Sequence, residues 1–389
     1  MKQLIHNIRL IHEHGITPDK AVLIDGERIA EIVDAKAYDH ESVDKVYDGR
    51  GRYLAAGFID IHTHGNSGYD TMDASPEAIE AMGEFHIQNG VTSFLLTTLT
   101  STPETLKKAL KTAREFIDEQ DSQDTIARVL GVYFEGPYFN EEKKGAQPAS
   151  AIATPDAKQM DDYILSSGGT IKVVALAPEL EGGIDLIKQL SSARITTSIA
   201  HTNGTYEDAQ AAYANGASLT THLYNGMRGF SHREPGIAGA ALTHDAFAEL
   251  IVDRHHLHDA AVDLALRAKG SDQLILVSDA IRATGLPSGT YDLGGQRITA
   301  EDGKVTLEDG SLAGSTLTLP MAIHNITTYN NLPLFEAVKM ATINPARAIG
   351  VDDAYGSVEK GKYADLVMFD DVREITTVFK SGEIMEWKK

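Results

Sequence analysis

Eight short apolar runs, separated by stretches of helical character, limit this chain to very few folds. They are AAGFIDIHTH from Ala55, TSFLLTTLT from Thr92, ARVLGVYFEGP from Ala127, IKVVALAPE from Ile171, ITTSIAHTN from Ile195, ASLTTHLYN from Ala217, AELIVDRHH from Ala248 and QLILVSDA from Gln273. Most are near-continuously apolar, as parallel strands covered on both faces must be. Helical stretches lie between them at Pro76 to Asn89, Pro103 to Gln120, Asp156 to Ser166, Gly182 to Ser191 and Tyr206 to Asn215. Ser75 before Pro76 is a helix start, and Asn89-Gly90 and Asn215-Gly216 are stops. Eight β/α units predict a (β/α)8 TIM-like barrel. A doubly wound sheet is the alternative. It would more often carry a glycine-rich phosphate loop, and neither G-x-G-x-x-G nor a P-loop occurs.

The two ends read as β. AVLIDGERIAEIV (21–33) sets Asp25-Gly26 between two apolar runs, a hairpin signal. ADLVMFDD (364–371) and ITTVFKSGEIMEW (375–387) are β-rich runs, the second broken at Ser381-Gly382. We expect one small β-sandwich domain formed from both termini; two unrelated edge hairpins are the other reading. The expected division is 1–54 and 351–389 for the small domain and 55–350 for the barrel. A β-hairpin insertion is expected around 288–310, followed by helices near Thr316 to Tyr329 and Leu334 to Ile349.

Polar residues cluster at the C-terminal ends of the apolar runs, the barrel face where active sites are built. The first run ends in His62-Thr63-His64, and alternate strand residues point together. The third ends in Glu135, the fifth in His201, the sixth in His222 and the eighth in Asp279. Imidazoles and carboxylates suit Zn²⁺, Fe²⁺, Mn²⁺ or Co²⁺. An ion with an open position acidifies water and yields a hydroxide nucleophile. A carboxylate beside it, Asp279, can then move protons as general acid/base. Each residue alone has a plainer reading. An H-x-H pair can arise by chance among 15 histidines, Glu135 can be an ion-pair partner, His201 a core residue and Asp279 a helix N-cap. Convergence on five strand ends favours the metal site.

Lys+Arg number 35 and Asp+Glu 56, a formal charge of −21. That disfavours nucleic-acid and anionic-membrane surfaces. With no cysteine, thiolate sites and disulfides are excluded. The N-terminal MKQLIHNIRLIHEHG lacks signal-peptide features, and no apolar stretch spans a membrane. A soluble cytoplasmic protein is expected.

RYLAAGFID (52–60), leading into H-x-H, and GKYADL (361–366) resemble motifs of the amidohydrolase superfamily. Within it, FEGPY (134–138), KKGA (143–146), LAPE (176–179), AHTN (200–203), THLYNGM (221–227), REPG (233–236), LAGS (312–315) and NPAR (344–347) resemble the N-acetylglucosamine-6-phosphate deacetylase family. That resemblance implies hydrolysis of the 2-acetamido group to acetate and glucosamine 6-phosphate. It implies that Glu135, His201 and His222 hold a principal divalent metal ion and that His62 and His64 serve a second, so one or two ions per subunit. Zn or Fe is expected, with Mn and Co as alternatives. Asp279 is the implied acid/base. Asn225, Gly226, Arg233 and His256 match positions that grip the sugar phosphate, and Ala146 and Leu312 lie in motifs expected to line the pocket. A homodimer is implied, with part of the phosphate grip donated by the neighbouring subunit. Arg233 suits phosphate as a planar fork; otherwise it pairs with Glu234, and His255, His256 and His258 form a solvated strand end. Gln147 stands where many members carry histidine. Arg282 adds a cation near the mouth without an assigned role. An N-acetylgalactosamine-6-phosphate deacetylase or another amide hydrolase is the alternative, and a non-catalytic binding barrel a more remote one.

Overall fold

The computed structural model describes residues 1–37, 42–121 and 125–385. All eight apolar runs become strands of one parallel sheet, in chain order. These barrel strands are Phe58–Asp60, Val91–Thr97, Arg128–Glu135, Ile171–Leu176, Thr196–Ile199, Ala217–Thr220, Phe247–Leu250 and Leu274–Leu276. Every residue of Val91–Thr97 is buried, as strands covered by helices outside and side chains inside require. The first and eighth strands meet beyond their ends. Thr63 bridges Ala280, and Asp279 N donates to His62 O at 2.9 Å.

The expected helices form at Pro76–Gln88, Pro103–Glu119, Ala157–Ser166, Gly183–Ser192 and Tyr206–Ala214. Side chains placed by sequence cap them: Ser75 Oγ accepts from Ala78 N, and Thr205 and Asp208 form a reciprocal capping box. The sequence pattern predicts no helix after the sixth or seventh strand, yet Gly236–Thr243 and Asp259–Lys269 fill those places. The first of these is buried from Gly236 to Leu242, so it shows no amphipathic stripe to read. The single helix expected over 334–349 is two, Leu334–Met340 and Ile343–Ala348. Pro345 has no N–H to offer Ala341 O; that carbonyl instead accepts from Ile59 N of the first strand (2.9 Å).

The two chain ends build one seven-stranded sheet from Lys2–His12, Gly15–Asp25, Arg28–Asp34, Lys45–Ala56, Leu366–Phe369, Ile375–Lys380 and Glu383–Ile384. Its central pairing of Lys45–Ala56 with Leu366–Phe369 joins the N- and C-terminal parts. Ile5, Val22, Ile24, Leu54, Leu366 and Phe379 share a core of their own there. Trp387, which ended the last apolar run, lies outside the described residues. The insertion after the eighth strand is a three-stranded antiparallel sheet rather than one hairpin: Gly289–Leu293, Gln296–Glu301 and Lys304–Leu307. Asp302-Gly303 makes the second turn. Among the described residues no helix is long and apolar enough to cross a membrane.

Candidate metal centre and active site

The five strand ends converge. His62, His64 and Asp279 offer ligand atoms within 4.8 Å of one another, and so do Glu135, His201 and His222. All six residues are buried. Glu135 stands between the two trios. Its Oε1 lies 3.4 Å from His201 Nε2, 3.5 Å from His222 Nε2 and 3.6 Å from His62 Nε2, and its Oε2 is 3.1 Å from His64 Nε2. Asp279 Oδ1 is 3.5 Å from His62 Nε2 and 3.4 Å from His64 Nε2.

Hydrogen-bond partners assign the ring nitrogens. His201 Nδ1 faces Lys143 O at 2.9 Å, and His222 Nδ1 faces Asn225 O at 3.1 Å. A carbonyl only accepts, so both Nδ1 atoms carry protons. In the neutral rings both Nε2 atoms then present lone pairs, and they face each other across 3.2 Å. His62 Nδ1 faces Glu249 Oε2 at 2.8 Å, and its Nε2 is buried without a hydrogen-bond partner. Lone pairs and carboxylate oxygens converging on one buried point fit a divalent cation. Burial works against charge on His62, but Glu249, Glu135 and Asp279 outweigh it and raise the ring to about 9. Burial would raise both carboxyls, yet the imidazoles, His62 foremost, hold Glu135 well below and Asp279 below the usual range.

Backbone geometry aims these side chains. His201 (φ 43°), His222 (φ 29°) and Asp279 (φ 48°) all sit in the left-handed region, which non-glycine residues seldom adopt and which marks functional sites. Asp279 precedes no helix, so it is not an N-cap. Gly226 (φ 59°) is required twice over, because a Cβ there would lie 2.9 Å from His201 Nδ1.

A cavity of about 260 Å³ opens over the centre. Ala146, Asn225, Gly226, His256 and Leu312 line it, and so do Gln147 and Leu293 of the insertion. His256 is buried rather than part of a solvated strand end. Asp253 Oδ2 accepts from its Nδ1 at 2.7 Å. Burial opposes its charge, but that bond and the fields of Asp253 and Asp279 raise its pKa above the ordinary value. Arg233 is not brought to this cavity. It lies in an exposed turn, its N–H on Ser231 Oγ (3.4 Å). Arg282 also lies outside it, its guanidinium paired with Asp73 at 2.9 Å.

Gln147, at the cavity wall, commits its amide to Glu135 and Thr100. Its Nε2 donates to Glu135 Oε2 at 2.8 Å, and its Oε1 accepts from Thr100 N at 2.9 Å. Glu179, present in a motif but without a role, links three loop groups. It accepts from Asn140 Nδ2, Thr202 Oγ1 and Asn203 N at 3.0, 2.6 and 2.8 Å. Asp253 and Glu249 escaped the sequence reading. An Asp-x-x-His spacing signals the first, and a lone acid inside AELIV signals the second.

Residues 53–385 match the amidohydrolase family model, and the chain belongs to that family, whose members depend on divalent metal ions. A curated N-acetylglucosamine-6-phosphate deacetylase of Lysinibacillus sphaericus is 39% identical over 382 residues, 98% of this chain and 97% of its own. An N-acetylgalactosamine-6-phosphate deacetylase of Escherichia coli O157:H7 is 34% identical over 385 residues, 99% of each chain. The crystal structure of N-acetylglucosamine-6-phosphate deacetylase from Pasteurella multocida superposes with a TM-score of 0.93 at 31% identity, covering 99% of both chains.

Proposed function

We propose that this enzyme hydrolyses the acetamide of N-acetyl-D-glucosamine 6-phosphate to D-glucosamine 6-phosphate and acetate, with Asp279 as general acid/base. One observation carries the proposal: the two ligand trios lie at the floor of a cavity whose wall includes His256, its Nδ1 bonded to Asp253. The relatives named for this reaction, similar over nearly their whole length, support the substrate.

Glu135, His201 and His222 would hold one divalent ion, Zn or Fe foremost, and His62, His64 and Asp279 a second. An ion so held polarises a carbonyl and makes water more acidic. Asp279 takes a proton from the attacking water as its oxygen adds to the acetamide carbonyl carbon. It then gives that proton to the amine nitrogen as the C–N bond breaks, releasing acetate. Asn225, Gly226 and His256 hold the sugar phosphate, so remote binding fixes the acetamide over the trios. Ala146 and Leu312 shape the walls.

The exposure of Arg233 outside its own cavity supports a role at a neighbour's. We therefore read the working form as a homodimer in which Arg233 reaches the partner's phosphate. A charged sugar phosphate stays within the membrane that encloses it, which supports a cytoplasmic setting.

The test is acetate release from N-acetylglucosamine 6-phosphate, with the galactosamine epimer and unphosphorylated N-acetylglucosamine alongside. Turnover of the first above both others is expected. No turnover of any of them by ion-loaded protein overturns the reading.

A further inference from the structure

Glu249 is a fully buried carboxylate that the reaction does not use. It sits near the end of the seventh barrel strand, Phe247–Leu250. An acid in that position is expensive to bury and is kept only where its partners are specific. Its partners are specific. Oε2 accepts from His62 Nδ1 at 2.8 Å and from His222 N at 3.2 Å. Oε1 is buried without a hydrogen-bond partner. One oxygen thus touches a residue of each ligand trio.

The two trios depend on it unequally. His222 has its own ring anchor, Asn225 O on Nδ1, and Glu249 meets only its backbone. His62 has no such carbonyl; Glu249 is its Nδ1 partner. The opposite restraint on that ring is Tyr133, stacked at 4.6 Å between centroids and 25° between planes. Tyr133 in turn is held through its hydroxyl at 2.7 Å from Thr221 Oγ1. Stacking sets the ring plane but allows rotation within it. The Glu249 bond stops that rotation, fixes the proton on Nδ1 and leaves Nε2 aimed at Asp279 and Glu135. A carboxylate on the far nitrogen also makes the near one a stronger donor. His64, by contrast, has its Nδ1 buried without a partner, so the trio has a single anchored ring.

We infer that Glu249 is the positioning residue that makes His62, His64 and Asp279 able to hold a second divalent ion, while Glu135, His201 and His222 hold theirs without it. The inference rests on the two-ion reading above, and its test reads ion binding rather than turnover.

The metal-free full chain is titrated with Co²⁺, followed by visible absorbance and by metal analysis after gel filtration. Wild type should take up two equivalents. Glu249→Gln should bind the first as wild type does and bind the second at least about tenfold more weakly. Glu249→Asp keeps the charge but withdraws it, and should fall between them; it decides the matter if the Gln chain does not fold. In a His62→Asn background, Glu249→Gln should change ion binding no further. A purely structural Glu249 would lower the melting temperature and leave both affinities unchanged, and that result overturns the inference. So does a wild type that takes up only one equivalent. Acetate release by the same wild-type sample reports separately on the deacetylase reading.

Discussion

His201 Nε2 and His222 Nε2 face each other across 3.2 Å, each ring having already committed its other nitrogen to a backbone carbonyl. No proton is left to mediate that approach in the neutral rings, so a cation is the partner both atoms want. Chelation with dialysis should reduce turnover to background, and divalent ion should restore it. Ion bound only by the native state also stabilises it, by about 2.7 kcal/mol at a free concentration 100 times Kd. A melting temperature unmoved by chelator would count against the site.

Gln147 donates to Glu135 Oε2, the oxygen that His64 Nε2 also approaches. Gln147→Ala leaves the buried Thr100 N–H and one Glu135 oxygen short of a partner, at a cost of about 1–3 kcal/mol. Because the side chain is spent on Glu135, kcat and ion affinity should fall while discrimination for the phosphorylated substrate persists. Kinetics on phosphorylated and unphosphorylated sugars separate these effects. A selective loss of phosphate preference would place Gln147 at the substrate after all.

Asp279→Asn keeps the shape of the group and removes its basicity. The expected loss in kcat is about 10²- to 10⁴-fold, with the ion of the other trio retained by metal analysis. Near-native kcat would rule out the acid/base role.

Asp253 bonds His256 Nδ1 and favours its charged form, raising its pKa above the ordinary value. A hydrogen bond to a charged group is worth about 1.5–3 kcal/mol, so His256→Asn should raise KM for the phosphorylated sugar about 10- to 100-fold. Arg233→Ala should act in the same direction. Mixing Arg233→Ala with Asp279→Asn subunits should regain activity if Arg233 serves its neighbour, because one site in each mixed dimer then has both groups intact.

His86 gives a pH test away from the chemistry. Burial alone pushes it down to about 3, and it packs on Phe94 at 4.5 Å. The unfolded chain binds this proton near pH 6.5 and the folded chain does not. Its effect is therefore absent above pH 6.5, and stability is lost as pH falls from there towards 3, at up to about 1.4 kcal/mol per unit. His86→Leu should flatten that decline in urea unfolding between pH 6.5 and 4. An unchanged slope would mean that His86 is protonated in the fold.

The barrel was legible because strand burial leaves a compositional mark. Val91–Thr97 had to be apolar on both faces, and it reads that way. The ligands were legible because they sit where such runs end. What stayed hidden obeys longer-range rules. The helix Gly236–Thr243 is apolar on every face up to Leu242, so no periodicity announces it. The break at Thr342 follows from a proline whose missing N–H frees a carbonyl for Ile59, a contact between opposite parts of the sequence. Nothing in KKGAQ says that the Gln147 amide turns towards Glu135. Positive φ at His201, His222 and Asp279 is likewise invisible in residues that could equally well be extended. Arg233 was recognised as a phosphate-type cation, but a single chain carries no sign of which cavity it serves.

The meeting of Thr63 with Ala280 has a consequence for biosynthesis. His62 and His64 are translated with the barrel's first strand and Asp279 with its last. A ribosome-bound chain therefore displays two imidazoles for most of its synthesis with no carboxylate from the eighth strand to complete the trio. Only when that strand arrives and closes the ring does the trio exist, so a chain truncated before Asp279 cannot assemble it.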